Sequence, residues 1–276
     1  MPRIADDLVA IDPELDREYS PSSRVGGSSA PFIFQYQRTS EEAVTAMHQH
    51  DLEVLRLPGG SLAVAPAPGA PTLVFVHGGY WQALSAADSM YPAPALAARG
   101  WGYLAVEYTL APHASLGTMV QQTRTALTEF HEAVPHHGAL VVAGHSAGGH
   151  LVAMSTLAST APVAVQRVVL VSGVYDLRPL VHTSVNTILG LTAAEAESLS
   201  PALMPVRAAA GAPSVVVTWG DNETDAFKAQ SRAYAQQVRS AGLEVVEHEC
   251  VGRNHFDIVY DLSLPDTPLG ALTLAG

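Results

Sequence analysis

The residues of this chain that could carry out chemistry are a serine, a histidine and a small group of carboxylates. Ser146 lies within the segment Gly-His-Ser-Ala-Gly of residues 144–148, which directly follows the apolar residues 139–143. Three carboxylates follow within residues 221–225, and His255 comes after them. A serine hydroxyl becomes nucleophilic when an imidazole takes its proton, and a carboxylate fixes the tautomer of that imidazole. The chain order serine, acid, histidine therefore predicts acyl transfer through a covalent intermediate.

Ser146 is expected at a sharp turn between a buried strand and a helix. Gly144 and Gly148 flank it at the Gly-x-Ser-x-Gly spacing, and glycine avoids the collisions that a side chain would make in so tight a turn. The segment 151–157 has the composition of the helix that should follow. Such a turn holds the serine in a strained conformation with its hydroxyl exposed. The Ala147 N–H, at the helix N-terminus, would point toward an anion that forms there.

His255 is the expected general base, because it is the only histidine in the loop that should follow the last strand. A neutral imidazole takes the serine proton and later returns it to the leaving group. His248 lies within the preceding strand and is the weaker candidate. The sequence has no His-Glu-x-x-His or paired-cysteine pattern, so we expect neither a metal nor another cofactor.

Three carboxylates compete for the role of the acid. Glu223 is expected to be the acid because it follows Gly220 by three residues, a frequent spacing in hydrolases of this shape. Asp221 is the second candidate. Asp225 lies further into the same loop, and the two carboxylates that are not the acid would be solvated charges.

The glycine-containing segment 77–81, His-Gly-Gly-Tyr-Trp, follows another apolar run and suits an oxyanion site. Its glycines allow the N–H groups of Gly79 and Tyr80 to face the same point as the Ala147 N–H. Each such donor is worth about 10²–10³ in rate. Tyr80 and Trp81 would either pack beside the strand end or form the wall of the acyl or aryl pocket.

Apolar runs alternate with segments of helical periodicity from residue 71 onward, which predicts an α/β fold with a mostly parallel central sheet flanked by helices. Active-site residues gather at the carboxyl ends of the strands in such sheets. Strands are expected at 71–77, 102–107, 139–143, 167–172, 214–219 and 243–251, after a hairpin of 51–57 and 61–65. Helices are expected at 6–18, 39–50, 89–99, 116–133, 151–157 and 226–240, with a last one from about Phe256.

The whole chain, residues 1–276, is expected to form a single domain. Residues 174–210 interrupt the alternation, are longer than a connecting helix and contain three prolines, so they are interpreted as a small lid insertion. The N-terminal segment, residues 1–50, is expected to pack near the site.

Composition limits the partners and the compartment. A net charge of −12 disfavours nucleic acids and anionic membranes, and no apolar stretch is long enough to span a bilayer. Cys250 is the single cysteine, which excludes an internal disulfide and suits a reducing compartment. No signal peptide is visible, and a cytoplasmic protein is expected. The expected partner is a small-molecule substrate, and the sequence is compatible with a homodimer.

Together these motifs resemble the serine-dependent arylformamidases, the kynurenine formamidases of α/β-hydrolase fold. Residues 108–112 are in addition similar to a segment of the wider hormone-sensitive-lipase-like esterases. The segments that carry the arylformamidase resemblance are 18–22, 77–81, 144–151, 172–177 and 255–259.

The resemblance implies hydrolysis of N-formyl-L-kynurenine, an aryl formamide, to L-kynurenine and formate in tryptophan degradation. It implies that Ser146 attacks the formyl carbon to give a formyl-enzyme, and that Tyr80, Trp81 and Tyr175 contact the substrate. The family often has aspartate as the acid, so Glu223 is a departure. The alternative is a small-acyl carboxylesterase or arylesterase with the same triad. A non-catalytic binding module usually loses the nucleophile or the base, and both are present here.

Overall fold

A mostly parallel sheet of eight strands lies at the centre of the described part of the chain. The structure is a computed structural model, and it describes residues 10–207 and 211–275. The strand order is β1-β2-β4-β3-β5-β6-β7-β8. The strands are β1 (Leu55–Arg56), β2 (Leu62–Val64), β3 (Thr72–Val76), β4 (Gly102–Val106), β5 (Leu140–His145), β6 (Arg167–Val171), β7 (Ser214–Asn222) and β8 (Val245–Asn254). The strand β2 pairs antiparallel with β1 and β4, and β3 to β8 run parallel.

The central strands are apolar along their whole length because helices cover both faces of the sheet. Every residue of β3, β4 and β5 is buried, as expected for a parallel sheet between two helical layers. Alternate strand residues therefore belong to two separate cores: Val74 and Val142 pack on one face, Leu73 and Val141 on the other. The predicted strands and the predicted hairpin are present, and the sheet fixes the carboxyl ends of β3, β5, β6, β7 and β8 at one edge.

The described residues form α-helices on both sides of the sheet, and the start of one of them is marked by a capping serine. They are α1 (Pro13–Glu18), α2 (Ala30–Gln49), α3 (Ala93–Ala97), α4 (Leu116–Ala133), α5 (Ala147–Thr156), α6 (Asn186–Leu189), α7 (Ala193–Ser198), α8 (Asp225–Ser240) and α9 (Pro268–Leu274). Ser115 caps α4 by accepting a hydrogen bond from the Thr118 N–H, so that predicted helix is confirmed.

Several predicted helix boundaries differ from the structure. The helix expected at 89–99 is the shorter α3 (Ala93–Ala97), and the helix expected at 151–157 begins at Ala147. The helix expected to start at Thr39 starts at Ala30, and the Thr39 hydroxyl donates to the Gln35 carbonyl inside α2, where it caps nothing. The C-terminal helix expected from about Phe256 is preceded by a 3-10 turn and starts at Pro268. The first helix starts at Pro13, and residues 6–9 of the expected helix lie outside the described residues.

The segment expected to be a lid consists of short pieces of helix. Its described residues, 174–207, contain α6 and α7 and two 3-10 turns, and residues 208–210 lie outside the description. His150 on α5 binds this segment through its Nε2, 2.8 Å from the Leu199 carbonyl oxygen. Asp16 on α1 accepts a hydrogen bond from the Ser184 N–H at 2.7 Å, so the N-terminal segment also contacts the insertion. Among the described residues, no helix has the length and apolar character needed to cross a membrane.

Candidate active site

The carboxyl edge of the sheet opens into a cavity of about 230 Å³. Ser146 and His255 both line it, together with Gly79 and Tyr80 from the loop after β3. Residues of the N-terminal segment between Ser20 and Tyr36 form another wall, and Val185 of the insertion completes it. Five separate parts of the chain therefore meet at one small space.

Ser146 occupies the tight turn between β5 and α5 that the sequence predicts. Its φ is +53°, a left-handed value that is costly for a serine, and its N–H donates to the Val171 carbonyl at 2.8 Å. A Cβ on Gly144 would lie 2.3 Å from the Gly148 carbonyl oxygen, and one on Gly148 would lie 2.0 Å from that of Val76. The two flanking positions can therefore hold only glycine.

His255 and Glu223 form a buried pair at the ends of β8 and β7. The His255 Nδ1 lies 2.9 Å from the Glu223 Oε2, and the side chains are 4% and 1% exposed. The second carboxylate oxygen, Oε1, accepts a hydrogen bond from the Gly220 N–H at 2.6 Å, which explains the spacing of three residues between Gly220 and Glu223. A carboxylate held in this way fixes the proton of the imidazole on Nδ1 and leaves Nε2 without a proton.

The other two carboxylates of this loop make no hydrogen bond with His255. Asp221 accepts a hydrogen bond from the Gly252 N–H at 2.9 Å, and Asp225 is exposed in the first turn of α8. Of the three, all within the described residues, only Glu223 contacts the imidazole. The structure therefore brings together the residue that the spacing favours.

Ser172 is a contact of Glu223 that the sequence reasoning missed. Its Oγ lies 2.6 Å from the Glu223 Oε1, and its own N–H donates to the Thr218 carbonyl on β7. The residue is fully buried directly after β6. Its position at a strand end beside the strand of Ser146 is the signal that could have identified it.

The loop after β3 lines the cavity and contains N–H groups without a hydrogen-bond acceptor among the described residues. Gly79 has a φ of +94°, and a Cβ there would lie 2.3 Å from the Ala83 carbonyl oxygen. Tyr80 and Trp81 also adopt left-handed backbone conformations, with φ values of +50° and +59°. The N–H groups of Gly79, Tyr80 and Ala147 have no acceptor among the described residues. Donors without a partner are one requirement of an oxyanion site.

His77 and Tyr108 fix the carbonyl groups of this loop. The His77 Nδ1 lies 2.9 Å from the Gly78 carbonyl oxygen, and the Tyr108 hydroxyl lies 3.0 Å from the His77 carbonyl oxygen. Burial lowers the pKa of His77 to about 4, so its ring is neutral near pH 7. His77 is therefore a structural residue, as its sequence position suggests.

Of the three residues expected to contact substrate, the structure places one at the cavity. Tyr80 lines it, and its hydroxyl donates to the Tyr19 carbonyl. Trp81 is fully buried and packs edge-on against His150, with ring centroids 5.2 Å apart, so it corresponds to the packing alternative. Tyr175 is also fully buried and stacks on Tyr234 at 4.3 Å, because the backbone after β6 directs it into the core. Neither Trp81 nor Tyr175 lines this cavity.

Comparison with known proteins agrees with this geometry. The model of the alpha/beta hydrolase fold family matches residues 73–257. The kynurenine formamidase of Danio rerio is 31% identical, covering 90% of each chain, and that of Drosophila melanogaster is 30% identical, covering 92% of this chain and 94% of the relative. The chain belongs to the arylformamidase family of α/β-hydrolases. A solved structure, a candidate thioesterase from Silicibacter sp. TM1040, is 28% identical with a TM-score of 0.80, covering 95% of this chain and 99% of that one.

As an arylformamidase, the protein is a hydrolase that acts on linear amides. The family and the α/β-hydrolase fold expected from the sequence are both confirmed. In this arylformamidase the Ser146 hydroxyl and the His255 Nε2 have no hydrogen-bond partner among the described residues. Both atoms are thus available to groups that enter the cavity.

His145, the residue before the serine, also lines the cavity of this arylformamidase. Its Nε2 lies 2.7 Å from the His255 carbonyl oxygen, and the two rings are 4.8 Å apart. Burial lowers the pKa of His145 well below 6.5, and the neighbouring His255 lowers it further. The ring is therefore neutral, and a positive charge that forms on His255 meets no cation there. Within the described residues, no group of three or more His, Cys, Asp or Glu side chains is placed to hold a metal ion.

Proposed function

We propose that this arylformamidase hydrolyses N-formyl-L-kynurenine to L-kynurenine and formate, with Ser146 as the nucleophile, His255 as the base and Glu223 as the acid. The observation that carries the mechanism is the buried 2.9 Å contact of His255 with Glu223 beside a cavity that Ser146 lines. The relatives named kynurenine formamidase support the substrate and its place in tryptophan degradation.

In the first half of the reaction, the His255 Nε2 takes the Ser146 proton while the serine oxygen bonds to the formyl carbon. The carbonyl oxygen becomes an oxyanion, which the N–H groups of Gly79, Tyr80 and Ala147 stabilise. The imidazolium then gives its proton to the anilide nitrogen, the C–N bond breaks, and the arylamine leaves. A formyl ester of Ser146 remains.

In the second half, water replaces the arylamine. The neutral His255 Nε2 takes a proton from this water as its oxygen attacks the formyl carbon, and the same N–H groups stabilise the second oxyanion. The proton returns to the Ser146 oxygen as the ester bond breaks, and formate leaves. Glu223 holds the imidazole in one tautomer through both halves and stabilises its charged form.

The cavity walls support an aryl group on the leaving side. Ile33 of α2, Leu84, Val185 of the insertion and Phe256 are apolar wall residues. Together they present a surface suited to a flat ring. The formyl group is the smallest acyl group, so it needs only the space between Ser146 and the loop after β3.

The test is a kinetic comparison of N-formyl-L-kynurenine and formanilide with phenyl acetate and p-nitrophenyl acetate. We expect kcat/KM to be highest for N-formyl-L-kynurenine, with stoichiometric formate. The alternative is a small-acyl carboxylesterase with the same triad. Faster turnover of both acetyl esters, with N-formyl-L-kynurenine the poorest substrate, would replace the proposal with that alternative.

A further inference from the structure

We propose that Ser172 is a positioning residue that fixes the carboxylate of Glu223 for its contact with His255. Its hydroxyl donates to Glu223 inside the protein and does not line the cavity, so it acts through the acid and touches no substrate. This inference rests on the serine, histidine and glutamate roles proposed above. It does not depend on which acyl substrate the enzyme prefers.

The carboxylate of Glu223 is held at both oxygens. The Oε1 receives the Ser172 hydroxyl and the Gly220 N–H, each at 2.6 Å, and the Oε2 faces the His255 Nδ1. The two donors on one oxygen fix the rotation of the carboxylate, so that the other oxygen points at the imidazole. Glutamate has one more rotatable bond than aspartate, and a longer acid needs such an anchor to reach the imidazole in one geometry.

The backbone at Ser172 indicates that its side chain is needed. Its φ is +51°, in the left-handed region that glycine adopts at lower cost, and the residue is 0% exposed. The next residue, Gly173, shows that the chain uses glycine in this turn. At position 172 a serine therefore occupies a strained, fully buried position in spite of its backbone cost. The hydrogen bond to Glu223 is the compensating contact.

The pH dependence of the enzyme reports on this contact because the titratable neighbours of the pair are neutral near pH 7. Among the described residues, the titratable side chains that interact electrostatically with the pair are His145 from β5, Tyr175 from the turn after β6 and Cys250 from β8. Burial lowers the pKa of His145 and raises the pKa values of Tyr175 and Cys250, so all three are neutral near pH 7. On the side of α8 the neighbour of the imidazole is Phe227, which is apolar.

The experiment compares Ser172→Ala and Ser172→Gly with the native enzyme, using a formamide and p-nitrophenyl acetate. Both variants lose the hydroxyl, but the glycine variant also relieves the backbone strain. We expect kcat to fall roughly ten- to hundredfold in both, the effect of losing one hydrogen bond to a charged group, with KM within about threefold. The acid midpoint of kcat/KM should rise by roughly half a pH unit, because a carboxylate with one donor fewer holds the imidazolium proton more tightly.

Ser231→Ala is the matched control. Ser231 lies on α8, is fully buried, and its hydroxyl has no hydrogen-bond partner among the described residues, so its loss should leave kcat and the midpoint unchanged. A kcat within threefold of native in either Ser172 variant would overturn the proposal. So would a lower kcat with an unmoved midpoint, since the hydroxyl would then serve only the fold. If Ser146→Ala keeps its activity, the proposed function fails first, and the two failures are distinguishable.

Discussion

Replacement of Glu223 by glutamine changes one atom of the acid and should disable the base. The Gly220 N–H can only donate, so the carbonyl oxygen of the glutamine must stay at the Oε1 position, where it faces that N–H at 2.6 Å. The amide NH₂ then faces the His255 Nδ1. That nitrogen must give up its proton to accept a hydrogen bond, and the proton moves to Nε2. In this tautomer the Nε2 cannot take the serine proton.

The magnitude follows from the same tautomer argument. In a serine protease the amide replacement of the acid lowered kcat by about 10⁴, so we expect Glu223→Gln to lose at least about 10² in kcat. The assay is the initial rate of L-kynurenine formation from N-formyl-L-kynurenine. Asp221→Asn and Asp225→Asn are the controls and should stay within roughly tenfold, since their carboxylates do not touch His255. A Glu223→Gln enzyme within tenfold of native would refute the assignment of the acid.

Three further predictions concern pH and packing. The kcat/KM should fall as the pH is lowered, because a protonated His255 cannot accept the serine proton, and His255→Gln should remove this dependence along with most activity. Burial lowers the pKa of His150 to about 4, so between pH 6.5 and 4 this histidine is protonated in the unfolded chain and neutral in the folded one. The free energy of unfolding should therefore fall by about 3 kcal/mol as the pH is lowered from ~6.5 to ~4. In urea unfolding, His150→Gln should remove this part of the pH dependence. A variant with the same pH dependence as the native protein would contradict the prediction. Gly148→Ala should lower the free energy of unfolding by more than about 3 kcal/mol, because the new Cβ would overlap the Val76 carbonyl. Its control, Gly117→Ala in α4, should raise the free energy of unfolding by up to about 1 kcal/mol. Equal urea midpoints for the two variants would contradict this reasoning.

The sheet and the catalytic strand ends were predictable because their signals are local. A run of apolar residues that ends in glycine determines both β5 and the turn at Ser146, and the Ser115 cap determines the start of α4. The spacing from Gly220 to Glu223 reflects a hydrogen bond within three residues, so the sequence could identify the carboxylate that contacts His255.

What the sequence did not show depends on contacts between distant segments. The helix α2 begins at Ala30, nine residues before Thr39, and the buried Tyr36 in this additional part donates to the distant Phe256 carbonyl. Ser172 meets Glu223 only because β6 and β7 are neighbours in the sheet. Trp81 is buried because its backbone adopts a left-handed conformation, which no sequence pattern predicts.

The most direct test of the central claim is the turnover of N-formyl-L-kynurenine by Ser146→Ala. The side chain is small, lies at the cavity and makes no hydrogen bond to a described residue, so the variant should fold with an unchanged thermal midpoint. We expect the native enzyme to release L-kynurenine and formate in equal amounts, and the variant to lose at least about 10³ in kcat. A folded Ser146→Ala protein that still forms L-kynurenine near the native rate would contradict the account.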